Sequence, residues 1–284
     1  MITATLLVTC TDRTGIVANL TNFVSEYHGN ILDLDQHSDE EANRFFMRLV
    51  WSMDKFSLSR EEVPAALKIL AKKFDDFRFD LSFSDQRQRV AILCSQTPHC
   101  LYDLLLRQQM GELEGDIVLV CANHPDLREV TEHFGLPFVH IPAARDRRAA
   151  AEAKQKRLLQ KYRIDLVVLA RYMQILSPAF CAARPHRIIN IHHSFLPAFV
   201  GAKPYHQAKA RGVKIIGATA HYVTADLDQG PIIEQDVARV SHRDTVDDMV
   251  RKGRDLERQV LSRAVRAHLQ RRVLVEGNRT IVFH

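Results

Sequence analysis

Two stretches carry residue types that could do chemistry, IINIHHSFLPAF at 188–199 and TADLDQG at 224–230. The first puts Asn190 and His192 two apart at the end of an apolar run, and the second offers the carboxylates Asp226 and Asp228. An amide, an imidazole and a carboxylate together suit acyl chemistry. The amide and a protonated imidazole can donate to a developing oxyanion. The carboxylate can orient the imidazole and raise its pKa, or take a proton from water. On spacing alone the same residues also fit an ordinary loop, and both readings stand at this point. Other chemistries fit less well. A metal site would draw on His192, His193, His206 and His221, yet no HExxH is present and the spacings match no common zinc pattern. A nucleophilic Ser194 or Cys100 lacks a GxSxG context. A nucleotide cradle lacks its glycine, because the run after the first strand of this region is CSQTPHCLYDLL.

Something must hold these residues together. From residue 90 onward the apolar runs VAILCS, DIVLVCA, PFVHIP, DLVVLA and RIINIH alternate with helical segments. That alternation predicts a mostly parallel, doubly wound sheet with helices on both faces. Ligands of such sheets bind beyond the C-terminal strand ends. Asn190 and His192 lie at such an end and face the same way if the strand persists. GVKIIGATAHYVTADLDQGPIIEQDVARV reads as a strand, a turn around Asp226 to Gly230, and a returning strand. A long helix capped near Asp244 follows, carrying Val246, Met249, Val250, Leu256, Val260 and Ala264. Two short strands joined at Glu276-Gly277-Asn278 end the chain.

The first part has a different grammar. TATLLVTC is a strand, and Ile16, Val17, Leu20, Phe23, Val24 and Tyr27 then recur at helical spacing. ILDLDQHS and RFFMRLVWSM are strands joined through EEAN. Ser59 with Glu62 forms a capping box for a second helix, and Phe77, Phe79, Leu81 and Phe83 alternate as a strand. The βαββαβ order predicts an antiparallel sheet with two helices on one face. We therefore expect one domain at 1–84, a linker at 85–89 and a second domain at 90–284.

Composition narrows the class. With 46% hydrophobic and 26% charged residues the chain is globular. No apolar run approaches the roughly 18 residues that span a bilayer, and MITATLLVTCTDRTG has no secretory pattern. Five cysteines without a CxxC pair argue against a disulfide framework or structural zinc, and a reducing cytoplasm is expected. Residues 1–84 hold 9 Lys and Arg against 13 Asp and Glu, a balance of −4, so of the net +5 the remainder carries +9. A basic second part suits an anionic ligand. The basic run ARDRRAAAEAKQKRLLQKYR reads as a solvated helix face; with no aromatic before Tyr162 it is a poor platform for nucleic acid. No nucleic-acid or membrane partner is expected.

NIHHSFLPAFVGAKPYHQAKARGVKIIGATAHYVTADLDQGPII resembles the core of the folate-dependent formyltransferase family. The resemblance lies in Asn190, His192, Ser194-Phe195-Leu196-Pro197, the histidine strand at His221, and the turn Leu227-Asp228-Gln229-Gly230-Pro231. LARYMQIL at 169–176 is similar to the family's folate-binding strand end. CTDRTGIVANLTNFVSEYHGNI resembles an ACT domain, with the turn Asp12 to Gly15 ahead of the first helix. The resemblance implies a ferredoxin-like ACT domain followed by a formyltransferase-type sheet domain. It implies Asn190, His192 and Asp228 as catalytic residues. Met173, Gln174, Leu176, Thr224, Asp226 and Leu227 would bind the folate, with His193, Ser194 and His221 in support. Asp12, Arg13 and Gly15 would form a regulatory loop. ACT domain and sheet domain together resemble the branch of the family that hydrolyses 10-formyltetrahydrofolate to formate and tetrahydrofolate, supplying formate for purine synthesis. That branch implies no cofactor and no metal, a folate substrate, a small amino acid as effector, and a homo-oligomer of two or more subunits. The run Ser95-Gln96-Thr97-Pro98-His99 departs from the glycine-rich loop of a branch that uses a phosphorylated acceptor, and His193 stands where transferases usually have proline. Tyr205 and His206 are expected to pack in a loop. Two alternatives remain, a transferase with an amine acceptor and a non-enzymatic folate and amino-acid sensor.

Overall fold

A computed structural model describes residues 1–143, 148–197 and 204–284. Its compact units are Met1–Arg87 with Arg271–Leu274 and Ile281–His284, and Gln88–Gln270 with Val275–Thr280.

In the first unit β1 (Thr3–Thr11), β2 (Asn30–Asp39), β3 (Arg44–Ser52) and β4 (Arg78–Phe83) form an antiparallel sheet in the order β2-β3-β1-β4. Helix α1 (Ile16–Glu26) buries Ile16, Leu20, Phe23 and Val24, and α2 (Val63–Ala71) buries Val63, Leu67 and Leu70. Both stripes enter one cluster with Leu6, Val8, Leu49 and Trp51. Each such side chain gains about 1.5–3 kcal/mol on leaving water. In the expected capping box the Glu62 carboxylate accepts from the Ser59 N–H at 2.8 Å. The chain end differs from expectation. Phe283 packs with Leu7 and Phe46, and Asp80 accepts from Arg271 at 3.1 Å, so these terminal residues belong to the first unit.

The second unit has a seven-stranded sheet. Its strands are β5 (Gln88–Cys94), β6 (Gly115–Ala122), β7 (Phe138–His140), β8 (Leu166–Ala170), β9 (Ile188–His192), β10 (Ile215–Tyr222) and β11 (Ile232–Arg239). Their order is β11-β10-β9-β8-β5-β6-β7. Strands β9, β8, β5, β6 and β7 run parallel, while β10 runs antiparallel to both neighbours. The expected linker residues Gln88 and Arg89 are already strand, because Asp165 accepts the Arg89 N–H at 2.8 Å and the Tyr162 carbonyl accepts from its Nε at 2.7 Å.

Helices α3 (His99–Gln109) and α8 (Val246–Leu269) pack together, α8 also covering β9, β10 and β11. The cluster with Leu93, Val167 and Leu169 takes Ala151 and Leu159 of α5 (Arg148–Lys161) and Phe180 of α6 (Pro178–Ala182). The short α4 (Arg128–His133) precedes β7, and α7 (Pro204–Arg211) precedes β10. The cap of α8 is Thr245, one residue past Asp244, in a full capping box with Asp248. Strands β12 (Val273–Glu276) and β13 (Arg279–Val282) form the terminal hairpin.

Candidate active site

The register of the sheet brings the chemistry-bearing residues together. Asn190 stands opposite His221 and His192 opposite Thr219 across the β9–β10 pair. Residues two apart on a strand share a face, so Asn190, His192 and His221 project to the same side. The chain after β10 must then turn back sharply. Gly230 makes that possible, since a Cβ there would meet the Tyr222 carbonyl oxygen at 1.7 Å. Asp228 takes a left-handed backbone, φ 55°. The turn thereby swings the Asp228 carboxylate to the two imidazoles, with Oδ2 3.2 Å from His192 Nδ1 and Oδ1 3.6 Å from His221 Nε2.

These contacts set the protons. Hydrogen bonding to His192, and next to His221, holds the Asp228 carboxyl well below the usual carboxylate range. A carboxylate only accepts, so His192 carries its proton on Nδ1 and presents Nε2 as a lone pair when neutral. That Nε2 is buried and has no hydrogen-bond partner among the described residues. His221, 1% exposed, directs Nδ1 to the Tyr222 carbonyl at 2.9 Å. Its Nε2 lies 3.3 Å from Asn190 Nδ2 as well as 3.6 Å from Asp228 Oδ1; unprotonated it accepts from the amide N–H, protonated it donates to the carboxylate.

A cavity of about 350 Å³ opens beside this group. Asn190, His192, His193, His221 and Asp228 line it, with Met173, Gln174 and Leu176 from the segment after β8 and Thr224, Asp226 and Leu227 from the turn. Every residue assigned to folate binding from the resemblance is therefore on its wall. Met173, Ile175 and Leu227 are each more than half exposed, so this hollow has large apolar side chains open to a ligand. The Met173 N–H donates to Ser95 Oγ at 3.0 Å, which ties the wall to the end of β5. There the neighbours β8 and β6 depart on opposite sides, the switch point where open sheets bind ligands. Ser194 is buried and its carbonyl accepts from Thr219 Oγ1 at 2.9 Å, which holds the chain leaving β9.

Other candidates separate. His206 lies on α7 and is exposed, away from a shared cluster with His192 and His221. Burial raises the Cys100 thiol well above its ordinary value, which disfavours a thiolate nucleophile. Tyr205, expected in a loop, is on α7, and its hydroxyl donates to Glu257 Oε1 at 3.3 Å. Around Glu257 stands a group that the residue-type reading missed. His99 Nε2 is 2.8 Å and Arg171 Nε 3.4 Å from Glu257 Oε2. The available signal was a glutamate inside the apolar stripe of α8, between Leu256 and Val260. In the first unit Asp12, Arg13 and Gly15 line a depression of about 480 Å³ with Gln36 and Phe45. Gly15 has φ 90°, a conformation side chains resist.

The chain is similar to known proteins over nearly its whole length. Residues 88–265 match the formyl transferase family and residues 4–50 the ACT domain family. A protein of Synechocystis sp. named formyltetrahydrofolate deformylase is 54% identical over 282 residues, 99% of each chain. One of that name from Bacillus subtilis is 48% identical over 280 residues, 98% of this chain and 93% of the relative. The crystal structure of a formyltetrahydrofolate deformylase from Pseudomonas syringae pv. tomato has a TM-score of 0.97 at 48% identity, covering 100% of this chain and 95% of that one.

Proposed function

The chain belongs to the formyltetrahydrofolate deformylase family, and from that premise we propose that it hydrolyses 10-formyltetrahydrofolate to formate and tetrahydrofolate. The observation that carries the mechanism is the convergence of Asn190, His192 and Asp228 on one cavity wall. The pterin lies against Met173, Gln174 and Leu176 and against the turn at Thr224, Asp226 and Leu227. Asn190 donates its amide N–H to the formyl oxygen. Hydrogen bonds from His192 and then His221 depress the Asp228 carboxyl and make it a weaker base than an ordinary carboxylate. The proton of the attacking water therefore goes to His192 Nε2 while Asp228 holds Nδ1. Water oxygen bonds to the formyl carbon, and the C=O pair becomes an oxyanion held by Asn190. As that pair returns, the C–N10 bond breaks and the imidazolium passes its proton to N10. Formic acid then loses its proton. Every group comes from the chain or the solvent, so this scheme needs no cofactor. Purified protein with 10-formyltetrahydrofolate and no amine should yield formate and tetrahydrofolate in equal amounts. Turnover only when an amine is added would make it a transferase, and binding without turnover a sensor.

The first unit supports a second part of the reading, a small amino acid held at Asp12, Arg13 and Gly15 and a homo-oligomer assembled through residues 1–84. An open four-stranded sheet has edges that pairing would cover. Sedimentation of the intact chain gives the subunit count. Calorimetric titration of single amino acids tests the effector, and silence across all of them leaves the unit a scaffold.

A further inference from the structure

A buried charge persists only with partners. Glu257 is 2% exposed, in the stripe that α8 turns toward the interior, and its partners come from three other parts of the chain. His99 opens α3, Arg171 follows β8 directly, and Tyr205 lies on α7. The local structure accommodates each. Arg171 has φ 59°, a conformation costly for a side-chain-bearing residue that lasts only where its surroundings over-determine it. Gly253, one turn before Glu257, leaves room for Tyr205, whose hydroxyl would lie 1.9 Å from a Cβ there. A cation between His99, Cys100 and Glu257 would have to displace the Arg171 guanidinium already on that carboxylate.

This group borders the histidine pair. The His193 ring lies 5.2 Å from that of His192 at an interplanar angle of 26°, a stack, and 6.5 Å from the Tyr205 ring. Among the described residues the His192 ring has a single polar anchor, Nδ1 on Asp228, about which it could still turn. The stack removes that freedom. The charged and titratable groups around His193 are Arg171, Glu257, His192, Asp228 and Tyr205. Burial, and next the Arg171 charge, lowers the His193 pKa to about 4, so the stacked neighbour stays neutral near pH 7.

We propose that Glu257 is a positioning residue for His192: with Arg171 and Tyr205 it walls in His193, whose ring fixes the plane of His192, and it offsets the Arg171 charge beside His193. The inference rests on the hydrolytic reading only for its effect on turnover. The decisive measurement is made without substrate, as the pH titration of the His193 ring by NMR in the full chain. In Glu257→Gln the lowering effect of Arg171 loses its counterweight, and the His193 midpoint should fall by about half a pH unit or more. In Arg171→Gln the raising effect of Glu257 is left unopposed by that guanidinium, and the midpoint should rise by a similar amount, about half a unit. Glu257→Asp should hold the parent midpoint. Turnover of Glu257→Gln should fall about tenfold with KM little changed, because a misaimed base slows the chemical step. Shifts of the same sign, or no shift in folded protein, overturn the proposal. Should both charge variants fail to fold, Tyr205→Phe decides it, since loss of one hydroxyl should slow turnover about threefold, and an unchanged rate refutes the role. A parent protein that releases no formate while the two midpoints still move apart would overturn the hydrolytic reading and leave this one standing.

Discussion

Asp228 and Glu257 are both carboxylates bonded to histidine, and both are held below their ordinary pKa. They differ in almost everything else. Asp228 sits on a turn with 26% of its side chain exposed, facing the cavity, and hydrogen bonds to the two histidines are the leading cause of its depressed pKa. Glu257 sits mid-helix at 3%, where burial would raise its carboxyl and the His99 hydrogen bond, followed by the Arg171 charge, leads the reversal. The contrast teaches that a paired carboxylate has two uses. An open one can serve a reaction because its partner still has a free face. A closed one spends all its contacts on geometry.

The largest effect expected from that contrast is on turnover. Asn190→Ala, His192→Ala and Asp228→Asn should each cut formate release by about 100-fold or more, as loss of an oxyanion donor or a base does. Near-parent turnover in Asp228→Asn would remove Asp228 from the mechanism and end the comparison. Stability should rank the two the other way. Glu257→Ala leaves Arg171 and His99 without their buried partner and should cost about 3–5 kcal/mol in urea unfolding. Asp228→Asn should cost less than Glu257→Ala, since its side chain is partly open to water and the amide keeps its shape. Equal losses would erase the distinction between the two sites.

Acid unfolding sharpens it further. Both carboxyls are depressed in the folded state, so their stabilisation is present above the unfolded value near pH 4 and is lost as pH falls through the folded values. His193 acts earlier on the way down. Its folded value is about 4 against 6.5 for the free group, so between those limits the unfolded chain binds more protons and stability falls with pH. His193→Gln should flatten the decline from pH 6.5 to 4, and Asp228→Asn only the part below it. The smallest effect expected is none at all. Exhaustive chelation should leave turnover intact, because the one ligand-like cluster among the described residues, His99, Cys100 and Glu257, already has a guanidinium on its carboxylate. Activity lost to a chelator and restored by one metal would reopen that cluster.

Much of the fold follows from local pattern. The runs that became β5, β6, β8 and β9 are short, apolar and separated by helical spacing, which by itself selects a parallel sheet. The pair Asn190 and His192 was legible for the same reason, since a strand end fixes which way alternate residues point. Gly230 was legible through its turn. The terminal residues were not, because Phe283 declares only that it is apolar and not which core it will enter.

The sequence by itself put Asn190 and His192 on one strand face and Asp228 in the turn after β10, because these placements depend on a strand period and a hairpin turn, both rules of neighbouring residues. Only the tertiary structure decided the second layer. Residues 99, 171, 193, 205 and 257 lie on separate elements, and no local periodicity links them. A glutamate on an apolar stripe says that a partner must exist, since its buried charge is otherwise prohibitive. Which partner answers is set by how α8 lies against α3, α7 and β9, a matter of packing between elements distant in the chain.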